Sequence, residues 1–392
     1  MKIAITFLLT GSGHYREALA IKKYLRRSGH EVDLIYPIEN IKKKGGVAAK
    51  VIYYISTIPI NITEFIFQHF SFSKTNGLNE NLGFRTHIVK IVFAVISLME
   101  RIYGKLVSKS LGLEKYDCII STHPMATNLS LGALKKKTTV INVCPDEVGM
   151  AGALFYKVNG VLNLVNSENV RSLFIKAGLP PKNVMVLGHP LDTEILQKRK
   201  KIYERVQKDL KKGKMCIGLY IGGYGPKSQQ HAIFDVIREL SEEEKKGNIS
   251  LKILTGLHRG FENEINHLIT ELGLRERGIE INRTKTYYEL VEVGHLWMLD
   301  DINVMFSRPS ELVFYSLATG IPHILFPPVG IQELDMFSLL IRHANVLEYQ
   351  QIKGSLKKYL TRGDELALVS RGLYNSNYNL SGAINIGKFI EA

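Results

Sequence analysis

Gly11-Ser12-Gly13-His14 closes an apolar run at the amino terminus and precedes a helical pattern. Glycines at such a turn let the backbone bend tightly. They also leave helix N–H groups aimed at an anion or an oxygen-rich ligand. The spacing is not a dinucleotide fingerprint, because Arg16 stands where the third glycine would be. His14 would project from the carboxyl edge of a sheet, where ligands of α/β proteins bind. A near-neutral imidazole suits a general base; it suits a solvated surface equally well.

Gly222-Gly223-Tyr224-Gly225 has the same context in the second half of the chain, and a diphosphate could rest on it. Two glycine turns, each after the first strand of a half, imply two domains with facing edges and a cleft between them. Ser307-Arg308-Pro309-Ser310-Glu311-Leu312 follows a later strand. Ser310 is placed to cap the next helix. Glu311 could cap it too, or reach a ribose diol through two hydrogen bonds. Pro327-Pro328-Val329-Gly330-Ile331-Gln332-Glu333 also follows a strand. Gln332 and Glu333 there could read sugar hydroxyls, or simply complete an ordinary turn.

These residues need a scaffold, and the pattern supplies one. Residues 2–9 read as a buried strand, Tyr15–Arg27 as a helix and Glu31–Tyr36 as a second strand. Strands follow at Asp117–Ser121, Thr139–Val143 and Gly160–Val165. After a basic helical stretch at Gln197–Lys214 the pattern restarts with a strand at Met215–Ile221. Helices at His231–Leu240, Phe261–Leu272 and Leu312–Thr319 then alternate with strands at Ser250–Thr255, Ile279–Ile281, Val304–Phe306 and His323–Phe326. The fold class is α/β, with two Rossmann-like, doubly wound parallel-sheet domains facing a central cleft. Residues 1–190 form the first domain, with an insertion at about 40–112. Residues 191–375 form the second, and 376–392 a closing helix that packs back on the first.

The 392 residues are 45% hydrophobic and 22% charged, which excludes a disordered chain. Three cysteines without a C-x-x-C pair argue against a thiolate zinc site or a disulfide framework, so a reducing cytoplasm is expected. The net charge of +14 is uneven: residues 1–200 hold 27 basic and 14 acidic residues. That half suits a polyanionic partner. The insertion opens with Lys42-Lys43-Lys44 and carries aromatic and aliphatic runs flanked by Lys and Arg, at Val51–Phe72 and His87–Val107. Such runs suit a membrane interface; they also suit buried helices that cover the first sheet. No run of about 20 residues is free of charge, so no simple spanning helix is expected. No nucleic-acid recognition motif is visible, and no nucleic-acid partner is expected.

Together these motifs resemble glycosyltransferases of the GT-B fold. The nearest groups are monogalactosyldiacylglycerol synthases, bacterial diacylglycerol glucosyltransferases and the lipid-linked N-acetylglucosaminyltransferase of peptidoglycan synthesis. Gly11–His14 resembles their first glycine-rich turn, and Ser121-Thr122-His123-Pro124 matches the S-T-H-P of the lipid enzymes. Asn166-Ser167-Glu168-Asn169-Val170, Gly188-His189-Pro190-Leu191-Asp192, Gly320-Ile321-Pro322 and Gly330-Ile331-Gln332-Glu333 resemble further elements. Two departures stand out. The family's ribose glutamate aligns near Tyr315, with Glu311 one turn earlier, and its Asp-x-x-x-His stretch is reduced to Pro145-Asp146-Glu147.

The resemblance implies an inverting transfer from a UDP-linked sugar to a lipid or lipid-linked hydroxyl. His14, or alternatively Asp146, would take the acceptor proton. Gly11, Ser12, Gly13 and His123 would line the acceptor side. Gly222, Gly223, Gly225, Ser310, Glu311, Gln332 and Glu333 would hold the donor. No D-x-D motif occurs, so neither a metal nor a cofactor beyond the donor substrate is expected. The first domain would sit on an anionic membrane, at its cytoplasmic face. A sugar-nucleotide 2-epimerase on the same fold, or a non-catalytic sugar-nucleotide-binding, membrane-docking protein, are the alternatives.

Overall fold

The computed structural model describes residues 1–9, 12–44, 83–134, 138–222, 227–274, 278–328, 331–343 and 347–392. The apolar run Val51–Phe72 therefore lies outside the described residues, as do Gly11, Gly223 and Gly225.

Short runs of β-branched and aliphatic residues, buried on both faces, form two parallel sheets. The first contains β1 (Lys2–Thr6), β2 (Glu31–Ile35), β3 (Cys118–Ser121), β4 (Thr139–Cys144), β5 (Leu162–Val165) and β6 (Val184–Val186), in the order β2-β1-β3-β4-β5-β6. The second contains β7 (Met215–Tyr220), β8 (Ile249–Leu254), β9 (Ile279–Asn282), β10 (Val304–Ser307), β11 (His323–Leu325) and β12 (Leu347–Glu348), in the order β12-β11-β10-β7-β8-β9. Each order reverses direction at its first strand, between β1 and β3 and between β7 and β10. A crevice opens at the carboxyl ends of strands at such points, and ligands of α/β folds bind there.

The helix after β10 has the expected bounds but not the expected Ser310 cap. It runs Leu312–Thr319 with Glu311 at its cap position and no side-chain cap bond. Ser310 does not cap it. Val313 N–H bonds the Ser310 carbonyl, so the first turn is tight and the Ser310 hydroxyl is left facing elsewhere.

Within the insertion, helix Gly83–Leu106 crosses helix Pro124–Ala133 at very close range. A Cβ at Gly104 would overlap the Leu129 carbonyl, and one at Gly132 the Arg101 carbonyl. Phe93 and Ile96 are buried, while Ile91, Val95, Leu98, Met99, Ile102 and Leu106 form an exposed stripe. The helix thus covers the first lobe and presents apolar surface at once. No helix among the described residues is long and apolar enough to cross a membrane.

The chain passes between lobes twice, after β6 and again before its last helix, Gly382–Glu391. That helix packs on Gly13–Arg27, placing Ala383 and Ile386 in the core of the first lobe. Gly387 lies so close to the Tyr24 ring that a Cβ there would overlap it. The two passages bond to each other: His189 N–H donates to the Asn379 carbonyl at 2.8 Å, and Gly382 N–H donates to the His189 carbonyl at 2.9 Å.

Candidate functional site

On the first lobe, Ser12 and Gly13 lie at the start of the helix that follows β1, and His14 is in its first turn. Its ring sits edge-on to His123, with centroids 4.8 Å apart. His14 Nε2 is 3.2 Å from the Tyr156 hydroxyl, which donates to Asp146 Oδ2 at 2.7 Å. On the other side, His14 Nδ1 is 3.6 Å from Glu17 Oε2. Burial opposes a charge on His14, yet Glu17, Asp146 and Glu311 outweigh it, and its pKa lies above the ordinary histidine value. Burial first, then Asp146 and Glu311, push Glu17 up, to about 7, although His14 pulls it down. His123 is lowered by burial and by His14. Its Nδ1 accepts from Met125 N–H, so His123 caps the helix Pro124–Ala133.

On the second lobe, Arg308 follows β10 and its Nη1 meets Glu333 Oε1 at 2.9 Å. Gly222, two residues past β7, has a φ of 77°, and a Cβ there would lie 3.1 Å from Arg308 Nε. Arg308 Nε and Ser310 Oγ are buried with no hydrogen-bond partner among the described residues. A ligand oxygen or a water would satisfy such donors.

The two faces meet. Ser12 Oγ donates to Glu311 Oε1 at 2.9 Å, and Arg16 Nη2 lies 3.2 Å from the same oxygen. The Arg16 guanidinium stands 4.9 Å over the Tyr315 ring. Burial resists ionisation of Glu311, but Arg16 and Arg308 outweigh it and hold the carboxyl below its usual range. A second set of cross-lobe bonds lies nearby. Gly149 N–H donates to Asp335 Oδ2 at 2.6 Å, and Glu147 receives Tyr378 at 3.1 Å and Arg342 at 3.3 Å.

Between them is a cavity of about 110 Å³, lined by Ser12, Gly13, His14 and Asp146 from one lobe and by Arg308–Glu311, Glu333 and Met336 from the other. Ligand pockets for small molecules usually span some 300–1,000 Å³, so this cavity is small as it stands. A larger depression, about 580 Å³, lies beside Met215, Ile249 and Gly278 at the opposite edge of the second sheet. It sits at the amino ends of the strands, away from these groups.

The structure therefore brings Ser12, Gly13, His14, Asp146, Ser310, Glu311 and Glu333 to one cavity, with Gly222 behind Arg308. His123 lies behind His14 and does not line it. Gln332 falls in the helix Ile331–His343, its side chain outside the described residues. Sequence reasoning gave no role to Glu17, Tyr156, Arg308 or Met336. Glu17 carried a signal, being one helical turn after His14. Tyr156 carried none, because only the fold brings the end of helix Met150–Tyr156 back to His14.

No family model and no curated protein matches the sequence. Solved structures do match over the whole chain. MnaA of S. aureus, crystallised with UDP, is 11% identical over 100% of this chain and 96% of its own, with a TM-score of 0.55. MurG of Acinetobacter baumannii is 14% identical over 100% and 99%, with a TM-score of 0.53. The UDP-GlcNAc 2-epimerase of Methanocaldococcus jannaschii, in complex with UDP-GlcNAc and UDP, is 12% identical over 100% and 99%, with a TM-score of 0.51. At such identities the likeness is one of fold: two Rossmann-like α/β lobes in the GT-B arrangement.

Proposed function

We propose that the chain is a metal-independent, inverting glycosyltransferase that moves a sugar from a UDP-linked donor to a lipid or lipid-linked hydroxyl. The observation that carries this reading is the cavity itself. It sets His14 and Asp146 on one wall and Arg308 and Ser310 on the other. The acceptor oxygen would lose its proton to the first wall and bond to the anomeric carbon. The carbon–oxygen bond to the diphosphate would break, and the electron pair would leave on the nucleotide. Arg308 and the Ser310 hydroxyl would meet that charge, where donors aimed at developing charge act most strongly. Closure of the lobes would exclude water and limit donor hydrolysis.

The exposed stripe Ile91–Leu106, with exposed Lys105 and Lys109 at its end, supports a seat on the cytoplasmic face of an anionic membrane. The buried side of the same helix connects to the site: Phe93 packs on Phe155, whose ring lies 5.7 Å from that of His123.

A second reading, a sugar-nucleotide 2-epimerase, is favoured by the acids gathered here. Asp146, Glu311 and Glu333 line the cavity and Glu17 stands behind it. The apolar stripe has no use in that chemistry. Labelled UDP-sugars incubated with the protein, with and without anionic vesicles, decide between them. Lipid-dependent transfer supports the first reading and a free isomer the second. Binding without turnover rejects both and leaves a docking protein.

A further inference from the structure

We propose that the Tyr156 hydroxyl is a positioning group that joins His14 and Asp146 into one proton-accepting unit, so that neither titrates alone. The kinetic consequence rests on the transfer reading above; the coupling itself does not.

Tyr156 is the last residue of helix Met150–Tyr156 and is buried. Its oxygen lies 3.2 Å from His14 Nε2 and 2.7 Å from Asp146 Oδ2, and it stands between two groups that both line the cavity. It cannot easily swing away. Its carbonyl accepts from Asn142 Nδ2 at 2.9 Å, and its ring packs against Phe155, His14 and His123. Its phenol pKa is raised far above the ordinary value by burial first and by Asp146 next, so it stays neutral and passes hydrogen bonds without becoming a charge. The charged and titratable groups facing His14 are Glu17 on its own helix, Asp146 after β4, His123 after β3 and Glu311 from the second lobe.

A phenol has one proton to give. In the structure that proton goes to Asp146 Oδ2; rotated instead onto His14 Nε2, it leaves Asp146 ionised and able to receive the acceptor proton. That proton then passes from Asp146 to the Tyr156 oxygen as the phenol proton moves to His14 Nε2. One acceptor O–H bond is broken, one N–H bond is made on His14, and Tyr156 ends neutral, now donating to Asp146. The imidazolium so formed faces Glu17. The acceptor oxygen keeps the electron pair with which it attacks. His14 and Asp146, which the sequence offers as alternatives, thus act in series.

The test follows the His14 titration by NMR in the full-length protein, with and without Asp146→Asn and Tyr156→Phe. With Tyr156 present, Asp146→Asn should move the His14 midpoint by about half a pH unit or more; with Tyr156→Phe, by less than half as much. Equal shifts in both backgrounds overturn the proposal, whatever the enzyme's reaction. In the transfer assay Tyr156→Phe should lower kcat by about 10- to 100-fold at an unchanged donor KM, and alter the pH profile. Should Tyr156→Phe fail to fold, the wild-type Tyr156 hydroxyl proton gives the answer. Its resonance should shift as pH passes through the His14 midpoint, and one indifferent to pH overturns the coupling. Loss of transfer in His14→Ala together with absent coupling would reject this unit alone and keep the transfer reading.

Discussion

Arg16 of the first lobe and Glu311 of the second face each other at 3.2 Å, and Ser12 donates to the same carboxylate oxygen. The pair joins opposite lobes across the cleft, beside the cross-lobe bonds of Gly149, Glu147 and Ser12. Glu311→Gln leaves the Arg16 guanidinium buried without its counter-charge. It should cost about 1–3 kcal/mol of stability at neutral pH. The folded pKa of Glu311 is depressed, so this contribution is present above the usual carboxylate range and is lost as pH falls through the folded value. Thermal unfolding of both proteins from pH 7 to pH 3 checks it: the gap in Tm should shrink towards acid.

Glu17 should behave in the opposite sense. Its folded pKa, about 7, lies above that of an unfolded glutamate, so the folded state holds the extra proton between roughly pH 4.5 and 7. Stability from this group falls as pH rises across that window. Glu17→Gln should therefore raise Tm at pH 8 and have little effect at pH 4.5, as a pH series of melting curves would show. Equal effects at both pH values would reject an elevated Glu17 pKa.

His14→Ala should lower sugar transfer by about 10²–10⁴-fold, the usual range for a positioned proton acceptor, and spare UDP affinity. Calorimetric titration with UDP beside the labelled-sugar assay separates the two. Transfer at the wild-type rate would remove His14 from the mechanism.

Arg308→Ala should weaken UDP binding by about tenfold or more, the scale of a lost charge-assisted hydrogen bond. The same titration measures it, with Glu333→Gln as the variant that leaves the guanidinium in place. Unaltered UDP affinity in Arg308→Ala would exclude its contact with the diphosphate.

Leu98→Glu and Ile102→Glu, on the exposed face of helix Gly83–Leu106, should reduce sedimentation with anionic vesicles by about tenfold and leave UDP affinity unchanged. Wild-type partition by the double variant would exclude the stripe as the membrane contact.

Much of the scaffold was legible because its signals are local. The runs of β1, β7 and β10 are short, largely apolar and followed by turn residues, so their ends, and hence His14, Gly222 and Arg308, could be placed. Val184–Val186 and Leu347–Glu348 were missed because two or three residues show no period. The bounds of the helix after β10 are legible, but Ser310 is not its cap, since a tight first turn puts Glu311 at the cap position. The partners within the site were not legible. Arg16 was visible only as the wrong residue for a dinucleotide turn, and nothing in its neighbourhood points to Glu311 or Tyr315. Tyr156 reads as one more aromatic in an apolar helix until its hydroxyl is seen between an imidazole and a carboxylate.

The paired passages at Gly188–Leu191 and Asn379–Gly382 constrain how the molecule can open. A lobe attached by one strand may swivel about it freely. Here the attachment is a two-stranded ribbon with its own hydrogen bonds, including the antiparallel bridge between Pro190 and Ser381. Bending across such a ribbon keeps those bonds, whereas twisting along it breaks them. Were the lobes to part, this ribbon would favour a bend over a twist, and the reverse bend would bring Glu311 back to face Ser12 and Arg16.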